Sequence, residues 1–419
     1  MIILIVEQAL ALVGVALIAA LLSRFTRVDL SLACALCGFL AGQLIAYVGF
    51  DTGIRAESLR DLVFFVILPV LIFEAAWNLD LGLLRRWLLP ILLLSTAGML
   101  ICALVSAALI YLGIGHPSFP WVAALLTGAI LAATDPAAVI AQLREARAPA
   151  ELATLFEGES LFNDATAVVL FSLVLTVALN PEVMRGNGLG LFAVVFLGGS
   201  ALGLVAGLLA SIVLLLVGRP SNTTIVLLFT AFGSFFVAEH VFNASGIMAV
   251  VVAAIVVRSF LKEVENTVAG GLSHTWTWSG ELLNSVLFVI MGLTITLGMF
   301  SSHWLAMLIA IGAALIGRIA GITSCGALTQ FTRRKIPLRW QFVITWGGLR
   351  GVIALALALA LPVELDYWYT VQSMVFGVVL FSLLVQATTT QMLIRRWAPE
   401  RRQRSREEPT PAAKSALEH

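Results

Sequence analysis

Apolar runs of about twenty residues, separated by short polar turns, repeat along almost the whole chain. A run of that length crosses a hydrocarbon core as an α-helix, and none shows the alternation over about ten residues that marks lipid-facing strands. Thirteen such runs can be placed, near 2–22, 29–49, 61–79, 88–112, 121–141, 156–179, 190–217, 222–240, 243–258, 282–299, 303–328, 340–361 and 369–394. Their connections are short and turn-like, as in Gly115-His116-Pro117-Ser118-Phe119-Pro120 and Asn180-Pro181. Only Ser259 to Glu281 is long enough for an extra element. With Lys262, Glu263, Glu265, Trp276 and Trp278 it fits either a helix lying along the membrane interface or a plain loop. The first run has no basic residue before it and is too long for the core of a signal peptide, so it is taken as the first span. The predicted fold is an all-α polytopic membrane protein with about thirteen transmembrane helices.

Two of the runs are interrupted. In the fifth, Thr134-Asp135-Pro136 introduces a residue that lacks an N–H and clashes with the preceding turn, which breaks or kinks the helix there. In the twelfth, Trp346-Gly347-Gly348-Leu349-Arg350-Gly351 surrounds an arginine with three glycines, the composition of a locally unwound segment. Backbone groups freed at membrane depth are tolerated where they are buried in protein or line a cavity. The breaks are seven spans apart, which fits two six-helix repeats, spans 1–6 and 8–13, joined by span 7. Seven is odd, so the halves are inverted, and matched broken helices in inverted halves mark the mid-membrane site of a secondary transporter.

Composition strengthens the membrane assignment: 60% of residues are hydrophobic and 12% charged, with a mean hydropathy of +1.02, against about 25% charged in soluble domains. A net charge of +1 says nothing about partners, and no nucleic acid partner is expected. The distribution of charge is more informative, because cytoplasmic loops hold the excess of Lys and Arg. With the N-terminus outside, inward loops hold Arg24, Arg27, Arg85, Arg86, Arg144, Arg147, Arg219, Arg258, Lys262, Arg333, Arg334, Lys335 and Arg339, and the C-terminal tail holds most of the rest. Only Arg55, Arg60 and Arg185 fall outside. The expected topology is N-out and C-in, in the cell (inner) membrane. The tail after Trp397 is charged, contains proline and is expected to be disordered. Cys34, Cys37, Cys102 and Cys325 all sit in apolar runs, as small helix residues do, and imply no disulfide framework.

The charges inside the spans carry the chemistry. An ionisable residue at membrane depth costs about 2.5–3.5 kcal/mol even on lenient scales, and so marks function. The octet Glu157-Gly158-Glu159-Ser160-Leu161-Phe162-Asn163-Asp164 opens the sixth span with three carboxylates. At about 100° per residue, Glu159, Asn163, Ser160 and Asp164 share less than half of the helix surface. Glu159 and Asn163 are four apart, so the amide can orient the carboxylate. Two arginines, Arg318 and Arg350, also fall within spans, and each needs an acidic or carbonyl partner. Against them stand Glu74, Asp135, Glu159 and Asp164. That surplus of buried carboxylates suits a bound cation or proton.

Four segments together resemble a known family: Phe64-Phe65-Val66-Ile67-Leu68-Pro69 through Phe73-Glu74-Ala75, Thr134-Asp135-Pro136-Ala137-Ala138-Val139, Glu157 through Asp164 with Ala165-Thr166-Ala167-Val168-Val169, and Trp346 through Gly351. The chain is similar over about 14–396 to the monovalent cation:proton antiporters, in the NhaP-type Na+/H+ antiporter branch that also contains the animal sodium/proton exchangers. The resemblance implies a homodimer, with a dimerisation domain of spans 1–3 and 7–10 and a transport domain of spans 4–6 and 11–13. It also implies that Asp164 binds the ion and carries the proton, with Asn163 beside it. Asp135, Thr134, Ser160 and Glu159 match the remaining ion-site positions, and Arg350 matches the arginine of the broken span opposite. Glu74 and Arg318 match charged positions outside the ion site, and a pairing between these two is expected. Leu68-Pro69-Val70 departs from the pattern, since many relatives have a second proline there.

The residues point to the same mechanism. Burial penalises the charged form of Asp164, whereas a dehydrated Na+ or Li+ held by its carboxylate and nearby oxygens favours that form, so proton and cation compete. A hard oxygen set of Asp164, Ser160 and the Thr134 carbonyl suits an alkali cation, transported rather than retained as a cofactor. The family resemblance adds that members with Asn-Asp, like Asn163-Asp164 here, and no lysine in a span are similar to the electroneutral exchangers, which implies one Na+ (or Li+) for one H+. K+ selectivity stays open at this stage, because it depends on the size of the cage. An intramembrane aspartyl protease lacks its Gly-x-Gly-Asp segment here, and a channel or organic-substrate transporter lacks an evident recognition surface. His116, His240, His274 and His303 lie near span ends, as ordinary interface residues do.

Overall fold

The computed structural model describes residues 2–26, 28–48, 62–116, 119–179, 188–217, 220–264, 268–332, 334–365 and 367–397. Arg27, Arg55, Arg60, Arg185, Arg219, Arg333 and the tail after Trp397 lie outside them. Fifteen helices are present among the described residues. They run α1 (Ile2–Thr26), α2 (Leu30–Val48), α3 (Val63–Asn78), α4 (Leu81–Ile114), α5 (Trp121–Ala132), α6 (Ala137–Glu145) and α7 (Ala150–Leu179). After these come α8 (Gly188–Val217), α9 (Pro220–Phe236, extended by the π turn Val237–Val241), α10 (Gly246–Val264), α11 (Val268–Thr294), α12 (Leu297–Thr329), α13 (Leu338–Trp346), α14 (Val352–Leu359) and α15 (Trp368–Trp397).

Counting α5–α6 and α13–α14 as interrupted passes gives thirteen among the described residues, one for each apolar run. The breaks fall where the proline and glycines put them. Ala133 turns extended after α5 with ψ near 139°, and Pro136 sits immediately before α6, where its missing N–H costs nothing. Glycines flank the second break at Gly347 and Gly351.

The segment expected as an interfacial helix or loop is corrected: α11 begins at Val268 and runs unbroken through the tenth span. Its third turn packs on α3 rather than on lipid. Trp276 lies buried against Phe73 with ring centroids 4.5 Å apart, and Asn78 Nδ2 donates to Thr277 Oγ1 at 3.3 Å.

The helices form two groups. In one, α8 lies along α10, α2 along α11, and α3 against α10 and α11. In the other, α4 packs on α5 and α12, α12 on α15, and α7 on α4 and α5. The interrupted passes belong to the second group and face the first across α7, α11 and α14.

Candidate functional site

The two breaks cross, and one antiparallel backbone bridge joins them: the Asp135 amide donates to the Leu349 carbonyl at 2.8 Å. A break leaves helix ends with unsatisfied groups, partially positive at N-termini and negative at C-termini. Each end here meets a counter-group. The Ala132 and Ala133 carbonyls, at the end of α5, accept from Arg350 Nη1, both at 3.0 Å. At the end of α13, the Ile344 carbonyl accepts from Arg318 Nη2 at 3.3 Å and the Trp346 carbonyl from Gln386 Nε2 at 3.1 Å. The Asp135 carboxylate accepts from the Ala137 amide at 3.0 Å, at the start of α6. Gly351, which precedes α14, lies against the same carboxylate. The Arg350 amide donates to Ser382 Oγ at 3.2 Å, and Ser382 donates to Gln386 Oε1 at 2.8 Å.

Two of the glycines are required by close approach. A Cβ on Gly348 would come within 2.6 Å of Arg318 Nε, and one on Gly351 would collide with the Asp135 side chain. Overpacking of this kind costs about 1–3 kcal/mol, or roughly five- to 150-fold in an equilibrium constant. Gly351→Ala is therefore expected to displace Asp135 and raise the KM for the transported cation at least fivefold. The cation dependence of exchange in vesicles checks this, and an unchanged KM would mean that the crossing yields without moving Asp135.

One face of α7 forms the wall behind the crossing, as the helical geometry predicts. Ser160 Oγ donates to the Thr134 carbonyl, and Asn163 Nδ2 donates to the Ala132 carbonyl at 2.9 Å, Thr134 Oγ1 at 3.3 Å and Glu159 Oε1 at 3.2 Å. Glu159 holds Arg318 in a bidentate pair, with Nη1 at 2.8 Å and Nη2 at 3.0 Å, both side chains buried. The expected pairing of Arg318 with Glu74 is thus corrected. Glu74 instead accepts from Asn78 Nδ2 at 2.6 Å and lines a cavity that neither Glu159 nor Arg318 reaches.

That cavity has a volume of about 580 Å³, and its wall includes Glu74, Thr134, Asp135, Glu157, Ser160 and Asp164. Arg144, its one basic lining residue, pairs with Glu157 at 3.4 Å near the exposed mouth. Asp164 Oδ1 is buried without a hydrogen-bond partner. With Arg318 taken by Glu159 and Arg350 by carbonyls, Glu74, Asp135 and Asp164 have no basic partner among the described residues. Carboxylate, hydroxyl and carbonyl oxygens converging on one cavity form a hard-donor lining suited to an alkali cation or a proton.

Sequence reasoning missed Ser382, Gln386, Glu281 and Asn284. The first two are buried and hold the crossing, and the second two both line the cavity from α11. Ser382 and Gln386 stand four apart in the last span, a polar pair that the residue pattern does contain. Glu281 and Asn284 gave no signal, because they sat in a stretch taken for loop or span start.

Comparison with known proteins gives one answer throughout. Residues 13–396 match the family model described as sodium/hydrogen exchanger, transmembrane. The Na(+)/H(+) antiporter NhaS2 of Synechocystis sp. is 32% identical over 392 residues, covering 93% of this chain and 70% of that protein. The Na(+)/H(+) antiporter ApNhaP of Aphanothece halophytica is 34% identical over 421 residues, covering 98% and 79%. The sodium proton antiporter MjNhaP1 from Methanocaldococcus jannaschii, solved at pH 8, superposes with a TM-score of 0.80 over 95% of this chain and 99% of that one, at 21% identity.

Proposed function

The chain belongs to the sodium/hydrogen exchanger family and is a Na+/H+ antiporter, a secondary transporter rather than an enzyme, and from that premise we propose that Na+ and H+ compete for Asp164. The observation that carries this reading is the Asp164 carboxylate itself, buried at the cavity wall with one oxygen unpartnered and no basic group to neutralise it. An empty, charged site is costly to move through a low-dielectric interior, whereas a protonated or cation-loaded site is not. Exchange is then obligatory. Ser160 and Thr134 supply neutral oxygens to a Na+ or Li+ substrate, Asp135 adds charge, and Asn163, Glu159, Arg318 and Arg350 hold the crossing in shape. Glu74 faces the cavity from the opposite group of helices.

The helix group α4–α7 with α12–α15 serves as the transport domain and moves against a dimerisation domain of α1–α3 and α8–α11, in a homodimer. Exposed Leu10 and Leu17 on α1 and Leu204 and Leu208 on α8 leave the dimerisation domain an apolar outer face for lipid or a second copy. The charge distribution supports an N-out, C-in orientation in the cell membrane, which directs the cavity mouth at Arg144 and Glu157 to the cytoplasm.

The stoichiometry follows from one carboxylate titrating per cycle with Asn163, not a second acid, beside it. One Na+ for one H+ moves no net charge. In proteoliposomes the initial rate of Na+-driven proton movement is expected to stay the same when a K+ diffusion potential of either sign is imposed with valinomycin. A rate that tracks the imposed potential would overturn the electroneutral reading.

A further inference from the structure

Several basic residues of the described chain have partners: Arg144 pairs with Glu157, Arg395 with Glu145 and Arg318 with Glu159, and Arg350 is held by carbonyls. One corner instead gathers several basic residues that are not paired. Arg85 and Arg86 in the second turn of α4, and Arg334, Lys335 and Arg339 around the start of α13, form no ion pair among the described residues. Asp80, the acid nearest to this corner in sequence, has its Oδ1 committed to capping α4 through the Gly82 and Leu83 amides at 2.8 and 3.1 Å.

Aromatic contacts tie the two groups of charges together. Trp87 is buried against Trp340, with ring centroids 5.8 Å apart, and the Arg334 guanidinium lies over the Trp87 ring at 5.9 Å. Beside the charges, exposed apolar side chains continue along both helices: Leu89 on α4, and Leu338 and Phe342 on α13. A basic rim with an aromatic base and an apolar flank matches one available partner. A phosphodiester headgroup would neutralise the rim while its acyl chains cover the leucines and phenylalanine.

We propose that this corner, between the first turns of α4 and α13, binds the headgroup of an anionic phospholipid. The site bears on transport because α13 leads directly into the Gly347–Gly351 break, and α4 packs on α12, which supplies Arg318. A lipid bridging α4 and α13 holds the first half of the broken pass against its neighbour.

Each basic residue near a membrane surface contributes about fivefold to the affinity for anionic lipid. The test compares the full chain in liposomes of phosphatidylcholine and phosphatidylethanolamine with liposomes in which a quarter of the lipid is phosphatidylglycerol. Wild type is expected to exchange severalfold faster with phosphatidylglycerol present. The triple variant Arg85→Gln/Arg86→Gln/Arg339→Gln is expected to match wild type in neutral liposomes and to gain nothing from the anionic lipid. Arg24→Gln, which removes an exposed charge from the end of α1, is expected to keep the wild-type response. In detergent, short-chain phosphatidylglycerol should raise the unfolding midpoint of wild type and not of the triple variant, and phosphatidylcholine should raise neither. The proposal is overturned if wild type ignores phosphatidylglycerol in both measurements, if the triple variant responds as wild type does, or if Arg24→Gln loses the response equally. Exchange in neutral liposomes reports on the antiport reading separately.

Discussion

Asp164→Asn is expected to reduce cation-dependent proton movement in everted vesicles to background. The amide has nearly the same shape as the carboxylate, so the crossing and the α7 wall should persist. What disappears is the charge. A unit charge about 4 Å from a cation, at an effective dielectric constant of about 20, contributes roughly 4 kcal/mol, which is about a thousandfold in affinity. The amide also binds no proton in the working pH range, so both halves of the exchange fail together. The measurement is Na+-induced dissipation of a preset pH gradient, with protein level and unfolding midpoint compared to wild type. Continued dissipation by a folded Asp164→Asn protein would remove Asp164 from the centre of the mechanism. Ser160→Ala should be milder, because it deletes a neutral ligand and frees the Thr134 carbonyl but leaves the charge in place.

The largest loss of stability is expected from Arg318→Ala. Glu159 and Arg318 are both buried and share two hydrogen bonds, so removing the arginine strands a carboxylate that water cannot reach. Breaking a buried pair from one side costs about 3–5 kcal/mol, whereas replacing both partners by apolar residues of similar volume is often close to neutral. Arg318→Ala should therefore unfold well below wild type in detergent. Arg318→Met/Glu159→Leu should recover most of the difference, although it also removes the contact to the Ile344 carbonyl. A single variant within about 1 kcal/mol of wild type would show that Glu159 takes up a proton or finds water instead.

These two sites differ in how far the chain itself revealed them. Asp164 was legible because bilayer depth makes any carboxylate conspicuous, and because four polar residues in an octet fall on one helix face at 3.6 residues per turn. The partner of Arg318 was not. Arg318 and Glu159 are 159 residues apart, and Glu74 was an equally acceptable partner by charge alone. Only the tertiary fold, which brings Arg318 to Glu159 and leaves Glu74 on the cavity wall, separated the two.

The same division runs through the fold. Lipid offers no hydrogen bonds, so each span must satisfy its backbone within itself, and that local requirement writes the helices, their number and the two breaks at Pro136 and Gly347–Gly351 directly into the residue pattern. It fails where a helix borders protein instead of lipid, which is why the polar segment around Trp276, packed on Phe73, read equally well as a loop. The residue pattern alone specifies a thirteen-pass transporter with an acidic, oxygen-rich site on span 6 facing a broken span 5. Which charges hold the crossing together and which are left for the ion depends on the packed fold, because desolvation and pairing depend on neighbours brought from more than a hundred residues away. Arg350 on the Ala132 and Ala133 carbonyls and Arg318 on Glu159 are the first kind, and Asp164 with its unpartnered oxygen is the second.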